Sequence, residues 1–164
     1  KFKGARVITT VSNEQKASLA KSLGADEVIL YTQEDIAKRV QQLTTGHGVD
    51  LVLDTIGGAV FAQSIQSVAY FGRIVTLLDP GPVDLASARQ RNLQIAFELM
   101  LTPMLHHLDQ AREQHIKILQ QCANLIDKGE LVIHVSLTVP LSAAQQVHIM
   151  IEEGHSVGKA VLAL

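Results

Sequence analysis

Four runs in this chain are short, apolar and rich in β-branched residues, and a stretch with helical spacing follows each of the first three. The runs lie at residues 5–11, 27–30 and 49–56 ("VDLVLDTI"), with a fourth ("RIVTLL") opening at Gly72 and ending at Asp79-Pro80-Gly81-Pro82. Between them the spacing predicts helices over residues 14–23, stopped by Gly24, and over 35–43, capped by Thr32 and ended by "TTGHG". A third helix follows Gly57-Gly58 and reaches about Ala69. Short strands separated by helices of roughly ten residues predict right-handed βαβ units and a parallel sheet. Strands this continuously apolar are expected to be covered on both faces. The fold class is therefore α/β, with a doubly wound parallel sheet.

Beyond the Pro-rich turn the pattern changes. Residues 93–100 ("LQIAFELM") read as a further strand or a buried helix. Residues 110–127 read as a long amphipathic helix with Ile116, Leu119, Ala123 and Ile126 on one face and Gly129 as its stop. A strand over 131–139 ends at Pro140. Ser142 and Gln145 have capping-box spacing for a helix over 143–153, and a last strand covers 159–164.

Composition excludes several functions. With 47% hydrophobic residues, 18% charged residues and a net charge of −2, the chain has neither a disorder signature nor an overall basic footprint. Neither nucleic acid nor a membrane is expected as a partner. Cys122 is the single cysteine, which rules out a disulfide within the chain and a Cys-rich zinc site. No leader or membrane-spanning run is evident, so a cytoplasmic setting is expected.

The stretch "RVITTVSNEQK" carries the most specific chemistry. Dinucleotide sites commonly place a carboxylate at a strand end for the ribose 2′-hydroxyl, yet this strand ends Thr9-Thr10-Val11. Ser12 and Gln15 have capping-box spacing, which alone accounts for Ser12. The alternative adds Lys16, one turn into the helix, and Tyr31, at the end of the next strand. In a parallel sheet those strand ends lie side by side. A hydroxyl, an ammonium and a phenol around a helix N-terminus suit a phosphate dianion, which an acid at position 11 would repel.

"GARVITTVSNEQKASLAKSLGADEVILY", "LTTGHGVDLVLDTIGG" and "FGRIVTLL", in that order and spacing, resemble the cofactor domain of the medium-chain dehydrogenase/reductase superfamily. The quinone oxidoreductase and zinc-type alcohol-dehydrogenase-like branch is the most similar. The resemblance runs from about Gly4 to the closing "GKAVLAL" and implies a Rossmann-like fold. In NADPH-using members a Lys in this helix and a Tyr 15 residues later hold the 2′-phosphate, and Lys16 and Tyr31 match both. The resemblance thus implies NADPH as cofactor. It also implies that Thr55, Ile56 and Gly57 line the cofactor groove and that Thr76, Leu77 and Leu78 face the nicotinamide. Relatives often have Gly at the position of Leu78, and a Leu there narrows the backbone's approach to the ring. For Gly57 and Gly58 a plain strand-to-helix turn is an equal reading.

No G-x-G-x-x-G turn occurs in the chain. By family alignment the first strand, the Gly-rich turn and any catalytic zinc ligands lie upstream of Lys1, so a fragment or processed piece is expected. The seven histidines, among them His47, the adjacent His106 and His107, His115 and His148, are not expected to replace those ligands. No metal site and no catalytic residue are assigned, and Cys122 is expected to pack in the core. The implied organisation is a partial dinucleotide-binding domain over 1–130 and, over 131–164, a strand-helix-strand that joins the catalytic domain. The implied function is the cofactor-binding portion of an NADPH-dependent oxidoreductase reducing a carbonyl, enone or quinone. The fragment itself is expected to be inactive, and the parent is expected to act on a small-molecule substrate as a homodimer or higher homo-oligomer. Two alternatives are a non-catalytic nucleotide-sensing or assembly module and part of an NAD-linked zinc alcohol dehydrogenase.

Overall fold

The computed structural model describes residues 1–154 and 156–164, which fall into two compact units. The first consists of Lys1 and Lys3–Asp109, and the second of Phe2 and Gln110–Leu164.

In the first unit strands and helices alternate as β1 (Ile8–Val11), α1 (Glu14–Ser22), β2 (Glu27–Leu30), α2 (Ile36–Leu43), β3 (Val49–Asp54), α3 (Gly58–Ser64), β4 (Val68–Thr76), α4 (Ala86–Gln90), β5 (Gln94–Phe97) and α5 (Thr102–Leu105). All the pairings are parallel. β1 pairs with β2, and β4 pairs with β3 on one side and β5 on the other. No ladder joins β1 to β3. This is the 3-2-1-4-5-6 order with strand 1, its third place, not supplied by these residues, so β1 and β3 each present an unpaired edge.

Phe61, Ile65, Val68, Ile74 and Ala88 form the core, with Val52, Val83, Leu93 and Ile95 packed against it. Ala17, Ile29 and Val40 are buried around β1 and β2. The expectation of strands covered on both faces fails at β3. Val52 reaches the core, but Leu51 and Leu53, which alternate to the other face, are 58% and 62% exposed.

Several local boundaries differ from expectation. Ser12 does not cap α1. Asn13 does, its Oδ1 accepting from the Lys16 N–H at 2.9 Å, while the Ser12 carbonyl accepts from Thr32 Oγ1 at 3.0 Å. Asp35, not Thr32, caps α2 through the Lys38 N–H at 2.7 Å. The helix after Gly58 ends by Ser67 through a 3-10 turn (Ile65–Ser67), and β4 starts at Val68 rather than at Gly72. Its register against β3 jumps from Val49–Val68 to Leu51–Arg73. Phe71 has φ +63°, and a Cβ on Gly72 would lie 2.5 Å from Val68 Cγ1, so the backbone folds tightly on itself there.

In the second unit β6 (Val135–Pro140) and β7 (Lys159–Ala163) pair in parallel around α7 (Ala144–Glu152), forming a strand-helix-strand. A 3-10 turn (Leu141–Ala143) precedes α7, whose N-cap Ala143 makes no side-chain cap bond. Ser142 and Gln145 therefore form no capping box there. α6 (Asp109–Asp127) spans the expected long helix, but it has no buried residue, and Ile116, Leu119 and Ile126 are exposed.

Candidate functional site

Strand ends in open α/β sheets gather ligands at their carboxyl edge, and two clusters of the sequence-predicted residues lie at such ends. The first is built by the register of β1 and β2. Val11 faces Leu30, so the chain leaves both strands at one level, and the Tyr31 N–H donates to the Val11 carbonyl at 3.2 Å. The Thr32 hydroxyl holds the next residue, Ser12, through its carbonyl. The Ser12–Lys16 turn and Tyr31 are thereby neighbours. Lys16 is half-buried in the first turn of α1, and Tyr31 is exposed. The backbones of Ser12, Lys16 and Tyr31 thus come to one edge beside the N-terminus of α1, where an anion is favoured. Nearby, the Glu34 carboxylate accepts from the Leu30 N–H at 3.3 Å and pairs with Arg39 at 3.4 Å, which ties its charge to the protein.

The second cluster lies at the ends of β3 and β4. Asp54, 3% exposed, closes β3. Its carboxylate accepts from the Ile56 and Gly57 N–H groups at 3.1 Å and from Thr76 Oγ1 at 2.7 Å. Its carbonyl accepts from the Leu77 N–H at 3.0 Å. Thr76 is 1% exposed, and its one hydroxyl proton has the Leu78 carbonyl within 2.9 Å as a second acceptor. Thr55, Ile56 and Leu78 are exposed, whereas Gly57 is buried. Of the residues expected to face a ligand, Thr76 thus turns its side chain inward, Leu77 is half-buried, and Thr55, Ile56 and Leu78 expose their side chains. The sequence placed Asp54 at a strand end but assigned it no role; its signal is an acid closing a strand that is apolar apart from Asp50.

The histidines do not converge. His106 and His107 follow α5 rather than starting a helix, with His107 at φ +52°. His47 Nε2 lies 3.8 Å from Asp50 on an exposed turn. Among the described residues no group of three His, Cys, Asp or Glu side chains is placed to hold a metal ion. Cys122 is half-buried on α6 rather than in a core. No helix among the described residues is long and apolar enough to cross a membrane.

A family model described as zinc-binding dehydrogenase matches residues 23–162. A quinone oxidoreductase of Pseudomonas aeruginosa is 30% identical over 97% of this chain and 49% of its own length. Among solved structures, an NAD-dependent alcohol dehydrogenase is 33% identical with a TM-score of 0.79, over 98% of this chain and 44% of that one. A mycobacterial protein solved in complex with NADPH is 29% identical with a TM-score of 0.84, over 99% of this chain and 51% of that one. The chain spans about half the length of this quinone oxidoreductase and of these solved structures.

Proposed function

This chain belongs to the zinc-binding dehydrogenase family, in the quinone-oxidoreductase-like branch of the medium-chain dehydrogenases and reductases, and from that premise we propose that it is the cofactor-binding portion of an NADPH-dependent reductase of carbonyls, enones or quinones. The observation that carries the reading is the β1–β2 register, which sets Tyr31 beside the Ser12–Lys16 turn at a strand end without an acid. Lys16 and Tyr31 would hold the 2′-phosphate, with Ser12 and the α1 N-terminus contributing dipoles. Thr55, Ile56 and Gly57 would line the groove, and the backbone of Thr76, Leu77 and Leu78 would face the nicotinamide. When bound, NADPH supplies the hydride. These residues bind and orient it, and the substrate pocket and any metal belong to the remainder of the parent. Residues 1–130 are the nucleotide part in this reading and 131–164 the segment that joins the catalytic domain.

The fragment alone would bind NADPH weakly and have no turnover, because the β1 and β3 edges are unpaired and no Gly-rich turn holds the pyrophosphate. The parent would be a homodimer or higher. β5 offers its outer edge, with Phe97 68% exposed, as the surface on which two copies pair. A second reading, part of an NAD-linked alcohol dehydrogenase, is favoured by the NAD-dependent neighbour.

Titration with adenosine 2′,5′-bisphosphate and with AMP, followed by the amide shifts of residues 12–16 and 31–32, tests the phosphate site. The proposal expects the bisphosphate to bind more tightly by about tenfold, the value of one charge-assisted hydrogen bond. It also expects Lys16→Ala to erase the difference. Equal binding of both nucleotides to the unmutated chain supports the NAD-linked reading instead.

A further inference from the structure

We propose that Asp54 is a positioning residue which, through Thr76, locks the loop after β3 to the loop after β4 and so presets their backbone for a dinucleotide; this rests on the cofactor-site reading above. Asp54 forms no ion pair among the described residues, and its carboxylate is held by neutral donors alone: two backbone N–H groups and one hydroxyl. A carboxylate buried in this way costs desolvation that an apolar residue at a strand end would avoid. What it contributes is orientation, since each donor is fixed to a direction.

Two of those donors, the Ile56 and Gly57 N–H groups, set the loop after β3. The third, Thr76 Oγ1, sits between Asp54 Oδ2 at 2.7 Å and the Leu78 carbonyl at 2.9 Å, so one hydroxyl addresses both loops. The Asp54 carbonyl adds the Leu77 N–H at 3.0 Å. The loops also touch: a Cβ on Gly57 would lie 2.8 Å from the Asp79 carbonyl oxygen. The exposed side chains of the two loops, Thr55, Ile56 and Leu78, stand on the outside of this brace. Groups that never reach the ligand thus fix those that would.

An Asn at position 54 can satisfy this geometry except for the second arm of the Gly57 bond, from its N–H to Oδ2 at 3.1 Å. Its Oδ1 accepts from the two N–H groups, its Nδ2 donates to Thr76 Oγ1, and the Thr76 proton passes to the Leu78 carbonyl. Asp54→Ala and Thr76→Val cannot do this.

The test uses the 164-residue chain carrying Asp54→Asn, Asp54→Ala or Thr76→Val, each held below its melting temperature. Amide exchange is read at Gly57 and Leu77, and affinity is read for NADPH and for adenosine 2′,5′-bisphosphate. Asp54→Ala and Thr76→Val are expected to raise exchange at both amides together. They should weaken NADPH about tenfold, as for a buried hydrogen bond left unmade, and leave the bisphosphate, which reaches only the Lys16 end, unchanged. Asp54→Asn should keep native exchange and affinity, and it preserves the test if the other two variants do not fold. Exchange that rises at one loop only, or both ligands weakening in parallel, or damage from Asp54→Asn equal to that from Asp54→Ala, would overturn the lock. Exchange needs no ligand. A chain that fails to bind the bisphosphate but shows coupled exchange contradicts the phosphate site and leaves the lock standing.

Discussion

Gly57 meets two demands at once. Its backbone sits at φ +74°, ψ −165°, a region essentially closed to residues with a Cβ, and the Asp79 carbonyl oxygen lies 2.8 Å from where that Cβ would be. Gly58, at φ +50°, has open space where its Cβ would be. Gly57→Ala is therefore expected to destabilise by about 3 kcal/mol, combining strain and overpacking, against about 1 kcal/mol for Gly58→Ala. Denaturant midpoints measured side by side decide this, and equal losses would contradict the close approach. Asp26 makes a different prediction. The Lys1 ammonium at 2.7 Å, and then the Val7 N–H, hold its carboxyl below the usual range. A lowered carboxyl stabilises the fold above the unfolded value of about 3.9, and that contribution is lost as pH falls through the folded value. Asp26→Asn should thus lower the melting temperature at pH 6 and converge with the unmutated chain at acid pH, and a constant difference would contradict it. At this scale the sequence was only partly legible. Ser12, Asn13, Thr32 and Asp35 all have capping side chains, and only the backbone path selects Asn13 and Asp35. The inward turn of Thr76 toward Asp54 depends on a pairing 22 residues apart that no local pattern encodes.

At the scale of elements, alternation of apolar runs with helical spacing was enough to place the strands and the longer helices, because burial dictates both periods. It failed where strand geometry is irregular. The Phe71–Gly72 excursion at the start of β4 leaves no trace in hydrophobicity, and its backbone bond from the Phe71 N–H to the Arg91 carbonyl joins segments distant in sequence. The apolar stripe of α6 was legible, but the exposure of Ile116 and Leu119 was not, since periodicity identifies a face and not what covers it. The parallel pairings make a prediction of their own. β4 is flanked on both sides and its Ile74 is fully buried, whereas β1 pairs on one side only. Amide exchange should be slowest across residues 73–76 and faster in β1 (Ile8–Val11), in line with their local opening energies. Equal protection in β1 and β4 would mean that the β1 edge is covered in solution, by self-association or otherwise.

For the molecule as a whole, family membership and fold class were readable from the ordered motifs "LGADEVI", "TGHGVD" and "LDTIGG". The substrate was not, because these residues cover only about half the length of the quinone oxidoreductase and of the solved structures they resemble. In the proposed function labour is divided within that half: the β1–β2 end would select the cofactor, and the β3–β4 end would position it. Selection is tested by the ratio of NADH to NADPH dissociation constants, measured by amide-shift titration of the 164-residue chain and of Lys16→Ala. NADPH is expected to bind at least about tenfold more tightly, the contribution of a charge-assisted contact to the 2′-phosphate, and the ratio is expected to fall to near one in Lys16→Ala. Equal dissociation constants in the unmutated chain would contradict selection.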